Sequence, residues 1–433
     1  MTERPGDDSP HGCTRRQLLA NAAAGAALAT LAAPQSAYGD EAAGAGVRRF
    51  RASISNETLG DLRRRIKATR WSDPETEPSQ GVQLATLQEL ARYWSTDYDM
   101  GRVEKRLNAL PQFVTEIDGL DIHFIHVRSR HPKALPLIVT HGWPGSVIEQ
   151  LKIIEPLTNP AAHRGSASDA FHVVIPSLPG YGFSARPQTS GWNPDRIGRA
   201  WATLMNRLGY TAYVHQGGDW GARISEVMGH QAPKGLLGIH MNLLLTFPPE
   251  INRAIAVGDP PPNGLSAGEL AVFNQRKALA PIGYLIEQAR RPQTIGNALA
   301  DTPVGLASWL TDHDPYTYGQ VAKAFAGHPD GALTRDEILD NITLYWATNT
   351  ATSAARLYWE AGRNPVAGPV TIPAAYTVFP HELYRVPRSL VEYTFKNLIY
   401  FHEADRGGHF AAWEEPELFA AEVRAAFRSL RHS

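Results

Sequence analysis

The chain reads as an α/β protein built on a mostly parallel sheet covered on both faces, and three observations predict it. From about residue 136, short apolar runs alternate with helix-like segments, the pattern of buried parallel strands joined by crossover helices. Most of these runs end in a small or polar break, where open α/β sheets place their sites. A long helix-rich segment, 245–365, then interrupts the alternation and reads as an inserted cap.

The chain has 433 residues, 43% of them apolar and 20% charged, a composition that suits an ordinary globular protein with a large core. Its 42 basic and 43 acidic residues leave a net charge of -1, which offers no electrostatic argument for nucleic acid or an anionic membrane as partner. The expected partner is a small molecule that need carry no charge. A single cysteine, Cys13, excludes an intramolecular disulfide and a thiolate metal site.

Residues 1–39 differ from the rest. Thr14-Arg15-Arg16-Gln17-Leu18-Leu19 precedes an alanine-dominated run, Ala20 to Ala33, then Pro34 and small residues that could form a cleavage site near Ala37-Tyr38-Gly39. This resembles a twin-arginine export leader. As a membrane span it is short against the roughly 20 apolar residues needed, and Asn21 interrupts it. The expectation is an exported protein with no stable membrane association once the leader is cleaved. Cleavage would also remove Cys13.

After a linker, Glu41 to Gly46, Asn56 is the expected N-cap of a helix that carries Leu59, Leu62 and Ile66 on one stripe. The whole of 46–130, with Tyr93-Trp94 and Leu110-Pro111-Gln112-Phe113, reads as a wrap around the rest. The first part of the core, 131–244, carries the strands Leu137–Thr140, Phe171–Ile175, Ala212–Gln216 and Leu236–Met241. The second part, 366–433, carries Tyr376–Phe379, Leu398–Phe401 and a final helix with Phe419, Val423 and Phe427 on one face.

Gly217-Gly218-Asp219-Trp220-Gly221 follows one of these strands and precedes a helix-like run. Glycines two positions either side of Asp219 let strand and helix approach closely around a strained turn, the nucleophile-elbow pattern with Asp in place of Ser. A carboxylate there can attack an electrophilic sp3 carbon and form an alkyl-enzyme ester. The plainer reading is a Gly-rich turn whose Asp caps the next helix. His141-Gly142-Trp143-Pro144-Gly145 lies upstream in the order the elbow expects, so the backbone amides of Trp143 and Trp220 are the candidate oxyanion hole.

Gly407-Gly408-His409 follows the last strand and leaves an imidazole on a pliable turn, where it could activate water as a general base. Glu382, just past the strand Tyr376–Phe379, is the carboxylate expected to orient it. Asp405, Glu403, Glu414 and Glu415 read as solvated charges. No G-x-S-x-G serine motif and no H-E-x-x-H metal motif occurs. His123 and His126 read as ordinary strand histidines facing opposite sides.

The runs LPQFVTEIDGLDIHFIHVRS (110–129), THGWPGSV, PSLPGYGFS, GGDWGARIS, FPHEL and RGGHFAAWEEPEL together resemble the epoxide hydrolases of the microsomal and juvenile-hormone type. The resemblance covers nearly everything after the leader. It implies an α/β-hydrolase fold with a helical cap and an N-terminal meander, with Asp219 as nucleophile, His409 as base and Glu382 as the acid. It also implies two cap tyrosines that donate to the epoxide oxygen. Among Tyr284, Tyr316, Tyr318, Tyr345 and Tyr358, the matching contexts are those of Tyr284 and Tyr358; a buried core role is the alternative for each. Eukaryotic relatives carry a membrane anchor where this chain has its leader.

The expected reaction opens an epoxide to a vicinal diol without a cofactor. Two other readings use the same residues. A haloalkane dehalogenase shares the Asp, His and acid, with the Trp143 and Trp220 indoles as halide donors, but has no need of the tyrosines. A non-catalytic ligand-binding homologue has no need of Asp219, His409 and Glu382 together.

Overall fold

The computed structural model describes residues 46–328, 332–362 and 368–432. The predicted leader and Cys13 lie outside the described residues. The central sheet has nine strands in the order β1-β2-β3-β5-β4-β6-β7-β8-β9. These are β1 (Val47–Phe50), β2 (Gln112–Ile117), β3 (Leu120–Val127), β4 (Leu135–Thr140), β5 (Phe171–Pro176), β6 (Tyr213–Gly217), β7 (Leu236–Met241), β8 (Ala374–Val378) and β9 (Leu398–Glu403). The strands β5-β4-β6-β7-β8-β9 run parallel and match the six expected from the sequence, with ends that shift by a residue or two.

The N-terminal region does more than wrap. β1, β2 and β3 pair antiparallel, and β3 pairs antiparallel with β5, so this region extends the sheet by three strands. Asp118 and Gly119 join β2 to β3 with φ of 51° and 77°, the positive-φ pair of a two-residue hairpin turn. The helix Asn56–Lys67 is capped by Ser55, whose side chain accepts from the Thr58 N–H, one residue before the expected cap. Leu62 and Ile66 are buried as the stripe predicts.

Eight helices, from Pro249–Val257 to Ala351–Ala361, lie between β7 and β8 among the described residues. One of them, Arg335–Thr348, is tied to the N-terminal region. The Trp94 indole N–H donates to Thr343 Oγ1 at 2.9 Å, and the Tyr98 hydroxyl donates to Asp340 Oδ1 at 2.7 Å. Arg102 and Arg106 pair with Oδ2 of the same carboxylate, which is wholly buried. The final helix, Pro416–Ala426, buries Phe419 and Val423, and Phe427 follows at its end, also buried. No helix among the described residues is long and apolar enough to cross a membrane.

Candidate active site

Asp219 stands between β6 and the helix Trp220–Gln231 with φ 50° and ψ -122°, a strained conformation for a residue with a side chain. A Cβ on Gly217 would overlap the Gly221 carbonyl, and one on Gly221 would overlap the Thr140 carbonyl at the end of β4. Strand, turn and helix therefore close on each other only with glycine at both positions. The Asp219 side chain makes no capping bond to its helix. Its Oδ1 instead accepts the Trp143 N–H at 2.7 Å, which removes the helix-cap reading. The Trp220 amide opens the helix directly after Asp219, among the N–H groups that have no acceptor within the helix.

The turns after β8 and β9 zip together through the His381–Gly408 bridge and so bring Glu382 opposite His409. The His409 Nδ1–H donates to Glu382 Oε1 at 2.6 Å, and Glu382 is fixed in turn by the Leu383 N–H at 2.8 Å and Asn242 Nδ2 at 3.3 Å. His409 Nε2 lies 3.6 Å from Asp219 Oδ2. Burial by itself lowers the imidazole pKa, but the carboxylates of Glu382 and Asp219 outweigh it and raise the value to about 10. Glu414 is not the solvated charge the sequence suggested. It is buried, accepts the Gly408 N–H at 2.7 Å, and burial raises its pKa to about 7, so it holds the turn that carries His409.

Tyr284, on the helix Gly283–Arg290, and Tyr358, on Ala351–Ala361, are both buried over the elbow. The Tyr284 ring lies 4.7 Å from that of Trp143, the Tyr358 ring meets Trp220 edge-on at 4.6 Å, and the two phenols are 6.2 Å apart at 90°. Burial raises both phenol pKa values well above their ordinary range, so the hydroxyls remain donors at neutral pH. The other candidates point elsewhere. Tyr345 donates to the Gly145 carbonyl at 2.7 Å, Tyr318 bonds Gln83, and Tyr316 stacks on His381 at 4.1 Å.

Nothing in the spacing around His313 marks it in advance. Its Nδ1–H donates to Asp314 Oδ2 at 2.8 Å, and its ring lies 4.3 Å from that of His409 and 5.4 Å from that of Tyr284. Asp219, His313 and His409 each offer an atom within 4.8 Å of the other two, the one cluster of metal-ligating type found among the described residues. Two of its members are the elbow carboxylate and the Glu382-bound imidazole, so the cluster belongs to this same site. His123 is satisfied by Ser177 and Gln112, and His126 by Tyr210, as strand histidines should be.

Comparison with known proteins agrees with this geometry. Residues 47–150 match the family described as epoxide hydrolase N terminus, and residues 136–260 match the alpha/beta hydrolase fold. The chain is 50% identical over 391 residues to a protein of Stigmatella aurantiaca (strain DW4/3-1) provisionally named an epoxide hydrolase, covering 89% of this chain and 86% of that one. It is 35% identical over 406 residues to epoxide hydrolase 1 of Oryctolagus cuniculus, covering 87% and 88%. The crystal structure of juvenile hormone epoxide hydrolase from Bombyx mori superposes with a TM-score of 0.77 at 31% identity, covering 89% of this chain and 95% of that one. A sheet with an aspartate at its elbow, roofed by two buried phenols and matched over nearly its whole length by such relatives, places the chain in the epoxide hydrolase family of the α/β-hydrolase fold.

Proposed function

We infer that the protein hydrolyses epoxides to vicinal diols through an ester on Asp219. The observation that carries this reading is the pairing of Asp219 with a roof of two protonated phenols. The Trp143 amide holds Oδ1, leaving Oδ2 free to attack a ring carbon from the side away from the departing oxygen. Tyr284 and Tyr358 donate to that oxygen as it becomes an alkoxide. In the ester, Oδ1 is the carbonyl oxygen, and the Trp143 and Trp220 amides receive the charge it gathers when water attacks. His409 takes the proton from that water, and Glu382 keeps the ring in the correct tautomer and stabilises its cation. No step calls on a cofactor.

The tyrosines favour this over dehalogenation, because a departing halide needs N–H donors whereas an epoxide oxygen needs a proton. Purified protein supplied with styrene oxide and with 1-bromobutane should form diol and release no halide; halide release faster than diol formation would reverse the assignment. A single turnover in oxygen-18 water tests the ester itself. The heavy atom should enter the Asp219 side chain, and the first diol should carry an oxygen from the protein. Label in that first diol, with none in the protein, would mean direct attack by water.

The paired Arg15-Arg16 and the alanine run behind them support export of the enzyme. Replacing both arginines by lysine should trap it inside the cell, which fractionation would show.

A further inference from the structure

The mechanism requires a water molecule on the far side of the ester from the alkoxide, and the core contains a place for it. Asp219 and His409 line a cavity of about 20 Å³, room for one water, whose polar lining includes Glu149, Gln150, Gln216 and Asn242. Every residue that lines it comes from the core and none from the helices that carry Tyr284 and Tyr358. It is therefore separate from the roof where the epoxide oxygen is held.

The polar atoms there are unusual for a protein interior. Glu149 is buried in the short helical stretch Val147–Ile153; its Oε1 accepts the Gln150 Nε2–H at 2.7 Å, the Gly142 N–H lies close to the same carboxyl, and its Oε2 makes no hydrogen bond to a protein group. Gln150 Oε1 and Gln216 Oε1 are likewise buried without one, and His409 Nε2 makes no hydrogen bond, its neighbour being Asp219 Oδ2 at 3.6 Å. Partnerless polar atoms on three residues that line one cavity are costly unless they serve a ligand. Burial raises the Glu149 pKa to about 8, so at neutral pH the carboxyl is protonated and Oε2 is a donor.

We propose that Glu149 is a positioning residue for the hydrolytic water, which it holds between Asp219 and His409 with the help of Gln150 and Gln216. The accounting closes on a single water. One lone pair accepts the Glu149 Oε2–H; one hydrogen donates to His409 Nε2 and the other to a glutamine carbonyl oxygen; the second lone pair faces the ester carbon. The water oxygen bonds to Asp219 Cγ as its proton passes to His409. The ester C–O bond then breaks, and the diol oxygen takes that proton from His409. Asp219 re-ionises with one oxygen from water, and the proton it releases replaces the one the tyrosines gave to the first alkoxide.

This rests on the ester mechanism, and the test separates the two. Single turnovers with styrene oxide would be followed by tryptophan fluorescence, since Trp143 and Trp220 flank Asp219, and by mass spectrometry of the acid-quenched protein. In Glu149→Met, alkylation should stay within about threefold of the wild type, while hydrolysis slows by about tenfold or more and adduct accumulates. Glu149→Gln, which keeps a donor on the cavity, should recover most of the hydrolysis rate. Gln216→Leu approaches the cavity from a different element, should show the same split, and decides the matter if Glu149→Met does not fold. No adduct in the wild type would sink the ester reading. Adduct in the wild type, with alkylation and hydrolysis falling together in the variants or the adduct fraction unchanged, would overturn the role of Glu149.

Discussion

The floor of the candidate active site and its roof hold their polar groups by different means. On the floor, Asp219, His409 and Glu382 are fixed by backbone: a positive-φ elbow, a bridge between two turns, and N–H groups from Trp143 and Leu383. On the roof, Tyr284 and Tyr358 are held mainly by ring packing against Trp143 and Trp220. It follows that a roof hydroxyl can be removed with little disturbance, whereas a floor side chain is part of a network. Substitutions should divide along that line.

Asp219→Ala should reduce diol formation by about 10⁴-fold or more, with an unchanged far-UV circular dichroism spectrum. Residual turnover within a hundredfold of wild type would mean that another group attacks the epoxide. His409→Gln should slow hydrolysis by about 10²- to 10⁴-fold and still let the ester form, visible as a stable mass increase on the protein. If the ester fails to form in this variant, His409 acts in the first half-reaction as well. Tyr284→Phe and Tyr358→Phe should each slow alkylation by about 10- to 100-fold, because one donor remains to take the alkoxide charge, and neither should lower the melting temperature by more than a few degrees. A large loss of stability would show that the roof is a network after all.

A subtler difference concerns pH. Glu382 and Asp219 both raise the His409 pKa, and esterification neutralises Asp219, so the imidazole should lose its proton more readily in the intermediate than in the free enzyme. Hydrolysis needs the neutral ring, so its rate should rise with pH, and its midpoint should lie below the titration of His409 followed by NMR in the free protein. Equal midpoints would show that the Asp219 charge does not govern the base. The smallest effect is expected from Glu414→Gln, which keeps an acceptor for the Gly408 N–H and should change turnover by no more than about threefold.

The same division explains what could be read in the sequence. The elbow was legible because backbone closure admits only glycine at 217 and 221, and the parallel strands because burial on both faces leaves apolar runs. The choice of Tyr284 and Tyr358 came from resemblance alone, since ring packing leaves no spacing rule. β1 was hidden by its short length and partly exposed faces, while β2, as long as β4, went unread although Asp118-Gly119 was a usable hairpin signal. Glu149 and Gln150 lie in a short stretch that mixes apolar and charged residues without a clear period, and His313 lies between two helices; only the folded chain shows what these side chains face.

The ties from Trp94, Tyr98, Arg102 and Arg106 to the helix Arg335–Thr348 bear on traffic through the enzyme. Swinging that helix outward would strand a buried Asp340 carboxylate, at about 3–5 kcal/mol for the lost pairing alone. A cap helix bolted down from behind does not act as a hinged door. With that helix fixed, bulk, rather than the timing of an opening motion, should decide which epoxides are admitted.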